Sequence, residues 1–410
     1  MFETHKSNII GGKMMKKFKK SIALLLGLIM VIGSLAACSS ADNGSKDSNE
    51  GNKGGFDVVT NEDSIYPAAS ELDPYSVGVL LWGYTDQLGG SVKSNLEYLG
   101  KEFNVNFSFV EALTMEEYIS GTENLIQRGV DGILSLLILP SMIEKAEEAG
   151  VYLQCILNES TDPDTLKLIA ESEYVTGMVT ENDYECGVAM VDDLYDRGMR
   201  NIVWIAPEAG MAANHDNRVR GIEDAIEKYD DLNVLANYRG TEQAEALQSF
   251  AATYPEMDGI IVTGGAGGGT ESIYQVMQSE GLNGQAVLAT IDIGEGTGEK
   301  LESGELGWIA GGQFPTTGIA FAVLYNAMVG TPINDTPEKT IYRPFMVLQS
   351  KDNYDNYMKF VEGSIPPYTG DEIKALIKKF NPEASLELVN EYGDNYSIDD
   401  VVSRHKDLFD

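Results

Sequence analysis

Few side chains in this sequence have the type and spacing that catalysis requires. The 410 residues include three histidines, His5, His215 and His405, which lie far apart in the sequence. The chain has no His-Glu-x-x-His, Cys-x-x-Cys or Gly-x-Ser-x-Gly motif, so common metal, thiol and serine sites are not indicated. Carboxylate pairs are uninformative, because 64 Asp and Glu residues form such pairs by chance. The sequence predicts binding without catalysis, and no cofactor or metal.

A carboxylate and two aromatic rings stand at the ends of apolar runs, where a ligand could reach them. Asp292 directly follows the apolar run 286–291. A carboxylate in that position is costly to bury unless it is hydrogen-bonded, which favours a binding role over a helix cap. Trp82 ends the first apolar run and Tyr84 follows two residues later, and an aromatic ring near a strand end either stacks on a ligand or packs in the core. The sequence leaves both roles open for the two rings.

A glycine-rich segment, residues 264–269, follows another apolar run and precedes a predicted helix. Its backbone N–H groups would favour a hydrogen-bond acceptor or an anion at the helix N-terminus. The segment is not a nucleotide-binding loop, because Thr270 stands where the Walker motif needs Lys and where Gly-x-Gly-x-x-Gly needs Gly. A flexible loop without a ligand is the alternative.

Apolar runs that alternate with helix-like stretches must position these side chains. The strand-like runs are residues 75–82, 104–110, 132–139, 151–157, 174–180, 201–206, 259–263 and 286–291. Most are apolar throughout, as strands buried on both faces are, whereas 104–110 alternates and predicts an edge strand. Capping boxes at 114–117 and 141–144 predict two helix starts. The fold class is therefore α/β with parallel sheets, and ligands bind beyond the carboxyl ends of the strands.

The N-terminus predicts export. Residues 13–20 contain five lysines, and residues 21–37 are uncharged, largely apolar and end in Leu-Ala-Ala. A basic start, a short apolar stretch and small residues before the cut are typical of a secretory signal peptide. The ending before Cys38 resembles the lipobox of bacterial lipoproteins, which implies that Cys38 is lipidated and begins the mature chain. An uncut membrane helix is the alternative.

The mature chain is expected to be acidic and held outside the cell membrane by its lipid. We place the signal peptide at 1–37 and the lipidated cysteine with a flexible, Ser-, Asn- and Gly-rich tether at 38–73. The full chain has a net charge of −35, and removing residues 1–37 leaves about −40. This charge argues against binding to nucleic acid. Cys155 and Cys186 are expected to be buried free thiols, with a disulfide as the alternative.

Six segments between residues 75 and 348 occur in an order that one known family shares. They begin with LIQRGVDGIL, SMIEKAEEAGVYLQCIL and VTGMVTENDYECG, and continue with NRVRGIEDAI, AVLATIDIGEG and LESGELGWIAGGQFPTTG. This order resembles the type I periplasmic-binding proteins of sugar ABC importers. The resemblance implies two Rossmann-like lobes joined by a three-strand hinge, at 74–180 plus 314–343 and at 181–313 plus 344–410. The tail beyond 348 is expected to pack against the second lobe.

The resemblance also implies a ligand-binding set. Arg218 matches the cleft arginine of Arg-x-x-Gly, whose planar fork donates several hydrogen bonds at once. Asp292 matches the carboxylate after its strand, and Gln313 matches the glutamine where the chain crosses back. Asp86 falls where the family has Asn or Asp after the first strand, and Arg220 is expected to be a surface residue.

Departures from the family pattern leave the ligand open. Asn158 and Glu159 stand where many members have Asp-Arg, and Ala266 stands where an asparagine would contact the ligand. A small polar ligand, by family default a sugar, would bind a monomer that delivers it to an ABC transporter permease. Amino-acid-like, nucleoside and signalling ligands are alternatives, as are a ligand-sensing lipoprotein on the same scaffold and a lipoprotein hydrolase.

Overall fold

The computed structural model describes residues 55–57, 59, 64–264, 269–334, 336 and 339–409. The predictions for the signal peptide, for Cys38, for most of the tether and for Ala266 therefore lie outside the described residues. Within the described part of the chain, helices of the length and hydropathy needed to span a bilayer are not found.

Two six-stranded sheets form the frame of the protein. The first sheet comprises β1 (Tyr75–Leu81), β2 (Val105–Glu111), β3 (Gly132–Ser135), β4 (Tyr152–Ile156), β5 (Val175–Glu181) and β11 (Thr340–Arg343). The second comprises β6 (Asn201–Ala206), β7 (Asn233–Arg239), β8 (Gly259–Val262), β9 (Val287–Ile291), β10 (Leu306–Gly311) and β12 (Met346–Leu348). Their strand orders are β2-β1-β3-β4-β5-β11 and β7-β6-β8-β9-β10-β12, and all neighbours are parallel except β10 and β12.

Helices cover these sheets. They are α1 (Gln87–Phe103), α2 (Met115–Gln127), α3 (Pro140–Ala149), α4 (Pro163–Glu171), α5 (Asp183–Asp196), α6 (Ala213–Ile226), α7 (Gln243–Thr253), α8 (Gly269–Ser279), α9 (Thr297–Ser303) and α10 (Thr316–Met328). The C-terminal extension, residues 350–409, adds α11 (Lys351–Phe360), α12 (Gly370–Ala375), α13 (Leu386–Asp394), α14 (Ile398–Arg404) and α15 (Lys406–Phe409). The predicted fold class, two α/β lobes with parallel sheets, is confirmed.

The chain passes between the two sheets three times. It leaves the first sheet after β5, because α5 packs on β8, β9 and β10 of the second. It returns after β10, because α10 packs on β3, β4 and β5. It crosses again between β11 and β12, which belong to different sheets. The two sheets are therefore connected by three short segments of chain, which is the geometry of a hinge.

The local patterns predict most element starts correctly. In the box at 114–117, the Glu117 N–H donates to Thr114 Oγ1 at 3.2 Å and the Thr114 N–H donates to Glu117 Oε2 at 3.0 Å. The box at 141–144 is wrong, because it predicts a helix start at Met142, whereas α3 begins two residues earlier at Pro140, whose fixed φ suits the first helical position. The half-exposed edge strand is confirmed as β2.

Four strands are missing from the predicted set. β7 is an edge strand with mixed polar and apolar residues, so it lacks the continuous apolar run that marks the central strands. β11 and β12 are four and three residues long. Such short hinge strands do not show a periodicity of their own. β10 is fully buried but lies inside a longer apolar stretch that continues into α10.

The end of the expected tether is packed rather than free. Phe56 is 4% exposed, and its ring stacks on Phe314 at 5.8 Å and meets Tyr98 edge-on at 6.4 Å. The Asp57 N–H donates to the Ser364 carbonyl at 2.8 Å. A flexible tether reaching residue 73 is therefore wrong at its end, because a buried aromatic ring holds the chain against the protein.

The C-terminal extension does not pack only against the second lobe, as its position in the sequence suggested. Its helix α11 lies on α9 of the second lobe, whereas α12 and α13 pack on α10 and on elements of the first lobe. Arg343, at the end of β11, donates through Nη2 to the Val389 carbonyl at 3.0 Å. The extension therefore contacts both lobes and the third crossing.

The two cysteines in the described residues, Cys155 and Cys186, are free and buried, as predicted. Burial is the main cause that raises the pKa of both thiols far above the ordinary range. A thiol that stays protonated is a poor nucleophile, so neither cysteine is suited to covalent chemistry.

Candidate ligand-binding site

A cleft of about 910 Å³ lies between the two lobes and is lined by residues of both. The walls come from the segments that follow β1, β4 and β5 in the first lobe and from α6, α8 and the segments that follow β9 and β10 in the second. The cleft therefore lies at the carboxyl ends of the strands, as expected for parallel α/β sheets.

The structure brings most of the predicted binding residues to this cleft. Those that line it are Trp82, Asp86, Asn158, Arg218, Asp292 and Gln313. Asp86 also caps α1 by accepting from the Gly89 N–H at 3.0 Å, and it accepts from Trp82 Nε1 at 2.8 Å. These bonds fix the indole of Trp82 beside the cleft.

Two predicted residues are not brought to the cleft. The Tyr84 hydroxyl donates to the Val79 carbonyl at 2.9 Å, and its ring packs edge-on against Phe109. It therefore takes the core role that the sequence had left open. Glu159 instead accepts from Asn217 Nδ2 and from the Tyr342 hydroxyl, the latter at 2.8 Å. Because Asn217 lies on α6, this carboxylate ties the first lobe to the second.

Both lobes present a strained residue at the same topological position. Leu157 directly follows β4 with a φ of 59°, and Asp292 directly follows β9 with a φ of 75°. Each is the residue after the fourth strand of its sheet, and each lines the cleft. A left-handed conformation is uncommon for Asp and is a true outlier for Leu. Such strain clusters at functional sites, because the surrounding structure must hold it in place.

Arg218 is the central cation of the second lobe's wall. It is 5% exposed, and its Nε donates to Asp183 Oδ1 at 2.7 Å while Nη1 donates to the Thr263 carbonyl at 2.7 Å. The helices that carry this pair approach closely, because a side chain at Gly187 or Gly221 would overlap the backbone of the facing helix. Arg218 lines the cleft, and its guanidinium carries further N–H donors beyond these two bonds.

A buried carboxylate, Glu181, ends β5 and lines the cleft at the first crossing. Burial raises its pKa to about 8, and the nearby Asp183 charge adds to the rise. The Thr316 hydroxyl lies 2.9 Å from Glu181 Oε1 and 2.7 Å from the Gln313 carbonyl. The one proton of this hydroxyl is donated to Glu181 or to the Gln313 carbonyl, and a protonated Glu181 can instead donate to Thr316 Oγ1 while the hydroxyl keeps its bond to Gln313.

Asp183 and His215 complete the polar environment of the hinge. Burial raises the pKa of Asp183 to about 6, even though Arg218 opposes the rise. Burial lowers the pKa of His215 to about 3, and the charge of Arg218 lowers it further. His215 is thus neutral at pH 7, and its Nδ1 lies 3.3 Å from Thr263 Oγ1.

Sequence reasoning missed Glu181, Asp183 and His215. The argument that singled out Asp292 applies equally to Glu181, which follows the apolar run 174–180, so that residue could have been found. His215 stands on an ordinary helix segment and had no pattern to mark it. Tyr357 and Glu362 also line the cleft. They belong to the C-terminal extension and lie far in sequence from the other residues of the cleft.

The arrangement suits reversible binding of a polar molecule. Its side chains combine carboxyl and amide oxygens with guanidinium and amide donors, which match the two roles of a hydroxyl group. Among the described residues, no cluster of His, Cys, Asp and Glu could hold a metal ion.

Comparison with known proteins gives a consistent result. A family model described as "Periplasmic binding protein domain" matches residues 77–332. The xylitol-binding protein of Mycolicibacterium smegmatis is 23% identical over 205 residues, which cover 47% of this chain and 55% of that protein. The match thus spans about half the length of this curated relative.

Solved structures share the fold. A solute-binding protein of an ABC transporter from Burkholderia graminis, in complex with D-arabinose, superimposes with a TM-score of 0.59 at 19% identity. The match covers 70% of this chain and 99% of that one. A periplasmic solute-binding protein from Actinobacillus succinogenes with bound D-allose gives a TM-score of 0.59 at 18% identity, covering 70% and 100% of the two chains.

Proposed function

Since the chain belongs to the type I periplasmic binding protein family, we propose that it captures a small polyhydroxylated solute, a sugar or a polyol, between its two lobes. The observation that carries this proposal is the polar cleft at the hinge, where Arg218, Asp292, Gln313 and Asn158 meet. Relatives bind xylitol, D-arabinose and D-allose, which are compounds with several adjacent hydroxyl groups.

Binding is proposed to work by closure of the cleft. A ligand that contacts both lobes binds the closed form more tightly than the open form, so it shifts the population towards closure. Three short crossings let the lobes rotate without breaking either sheet. The closed form would then dock on the permease of an ABC importer. The role is transport rather than catalysis.

The remaining parts of the proposal concern location and boundaries. Lipid on Cys38 would hold the protein at the outer face of the cell membrane as a monomer. We place the hinge at residues 180–181, 313–314 and 343–344, so that the lobes are 74–180 with 314–343 and 181–313 with the chain from 344 onward, whose extension also contacts the first lobe. Mass spectrometry of the membrane-extracted protein would test the lipid, since a chain with an unmodified N-terminal residue 38 contradicts it.

The ligand class is tested by thermal unfolding of the chain from Ser39 onward against neutral sugars, polyols, nucleosides and amino acids. A ligand at 100 times its dissociation constant adds about 2.7 kcal/mol of stability, which raises the midpoint by several degrees. We expect such a shift with a sugar or polyol that is recovered intact. A shift only with nucleosides or amino acids would contradict the proposed class, and loss of the compound would indicate a hydrolase.

Asp292→Asn is expected to weaken binding of that ligand about tenfold. Asparagine tolerates the left-handed backbone at this position, so the substitution removes the charge and an acceptor while keeping the local fold. Calorimetric titration measures the change, and Asp230→Asn on the exposed surface of the same lobe is the control. Equal affinity of the Asp292 variant and the control would remove Asp292 from the site.

A further inference from the structure

The C-terminal extension, residues 350–409, lies beyond residue 332, where the family match ends. Its first helix, α11, lies on α9 of the second lobe, and the ring of Tyr354 packs so closely over Gly298 that a Cβ there would lie 2.6 Å from it. After this helix the chain reaches the first lobe, where Ser91 Oγ on α1 donates to Glu362 Oε2 at 2.8 Å. Residues 351–362 therefore run from one lobe to the other.

This segment passes the cleft and places two side chains in its wall. Tyr357 and Glu362 both line the cleft and are 3% and 4% exposed. The Tyr357 hydroxyl donates to Glu362 Oε1 at 3.0 Å, and the side chain of Gln87 also bonds to this carboxyl group. A buried carboxyl is costly unless its hydrogen bonds are satisfied, so this one is held in place by partners from both α1 and α11.

We propose that Tyr357 and Glu362 are ligand-contacting residues and that the Glu362 carboxyl group hydrogen-bonds to one hydroxyl of the ligand. The two oxygens of a carboxylate provide about four acceptor positions, and Ser91, Tyr357 and Gln87 occupy three of them. In the ionised form one acceptor position remains, and because Glu362 lines the cleft, a ligand hydroxyl would donate to it. The inference rests on the proposed function, because it assigns a further contact in the same cleft.

The segment that carries these residues touches both lobes, so the cleft is lined by residues of the two lobes and of the extension. Arg218, Asp292 and Gln313 belong to the second lobe's wall and its crossing, and Asn158 belongs to the first. Tyr357 and Glu362 supply a third wall that the family match does not include. Specificity for one hydroxyl position would then depend on the extension.

The test compares Glu362→Gln, Tyr357→Phe and Glu387→Gln in the whole chain from Ser39 onward. Glu387 lies on α13 of the same extension with an exposed side chain, so it is the matched control. The probes for calorimetric titration are xylitol, D-arabinose, D-allose and the deoxy analogues of whichever compound binds. Unfolding of each variant without ligand checks that the variant is folded. If Glu362→Gln does not fold, Tyr357→Phe provides the test of the contact instead.

We expect Glu362→Gln to weaken binding about tenfold and Tyr357→Phe to weaken it several-fold, with no change in Glu387→Gln. For the one deoxy analogue that lacks the contacted hydroxyl, Glu362→Gln and the wild type should bind with equal affinity. A purely structural role of Glu362 would instead weaken the binding of every analogue. Equal weakening for every analogue, or affinity equal to the control, would overturn this inference while the proposed function stands. Failure of the wild type to bind any probe would overturn both.

Discussion

Replacing Arg218 with alanine is expected to lower the free energy of unfolding at pH 7 by about 3–5 kcal/mol. The substitution removes the partner of Asp183, whose side chain is fully buried, so this carboxyl group must either stay charged without a partner or take up a proton, and both cost stability. It also removes the donor to the Thr263 carbonyl. Urea unfolding followed by circular dichroism measures the loss, and binding of the ligand should be lost as well because Arg218 lines the cleft.

The control for this experiment lies two residues further along the same helix. Arg220 is exposed and stacks on Tyr184, so Arg220→Ala should change stability by less than about 1 kcal/mol. The double variant Arg218→Ala with Asp183→Asn should recover part of the stability, because it removes the unpaired charge. If Arg218→Ala is as stable as Arg220→Ala, the buried ion pair does not hold the hinge together.

The second large effect concerns Glu181, whose burial is expected to make the protein less stable as the pH rises. Its pKa is about 8 in the folded state, against an ordinary value of 4.5 for glutamate, so the folded state binds the proton more tightly than the unfolded chain does. The stabilisation of the folded state by proton binding to Glu181 is complete below about pH 4.5 and is lost as the pH rises through 8. One pKa unit corresponds to 1.36 kcal/mol, so roughly 3–5 kcal/mol is lost between pH 4 and pH 9.

Glu181→Gln should remove this part of the pH dependence. The amide resembles the protonated acid and donates to Thr316, so the variant should exceed the wild type by roughly 3 kcal/mol at pH 7 and more at pH 9. Denaturant unfolding at pH 4, 7 and 9 measures the difference between the two proteins. Glu185 is exposed in the first turn of α5, so the stability of Glu185→Gln should equal that of the wild type at every pH. A wild type that matches Glu181→Gln at pH 9 would show that Glu181 is solvated.

The two predictions share a physical origin. The first crossing carries Glu181 and Asp183 two residues apart, both buried, beside the only buried arginine that lines the cleft in the described part of the chain. A neutral residue in place of either carboxyl would make the folded state more stable. Charged groups that cost stability and line a cleft are characteristic of functional sites. We therefore expect Glu181→Gln to be stabilising and to weaken ligand binding together.

The sequence by itself determined the fold class and much of the element order. Continuous apolar runs mark strands buried on both faces, and β5 and β8 are buried at every position as that pattern predicts. The alternating run became the edge strand β2, and the two cysteines are free. These features are local, because a periodicity or a cap depends on residues a few positions apart.

The candidate site was predictable where a polar residue follows such a run. Asp292 and Asn158 stand at the ends of their strands and line the cleft. Trp82 and Tyr84 could not be separated from sequence, since both follow β1 and only the packing of Phe109 places Tyr84 in the core. A rule about strand ends locates a residue along the chain but does not tell which way its side chain points.

Only the tertiary structure decided the long-range partners. Arg218 pairs with Asp183 across 35 positions, and Glu362 reaches Ser91 across 271. Phe56 lies against Phe314 although its neighbours resemble a tether. A low-complexity composition indicates too few apolar groups for a core, but it does not exclude a single aromatic ring such as Phe56 from packing against the protein. Such contacts depend on how distant segments meet in space, which composition and spacing do not encode.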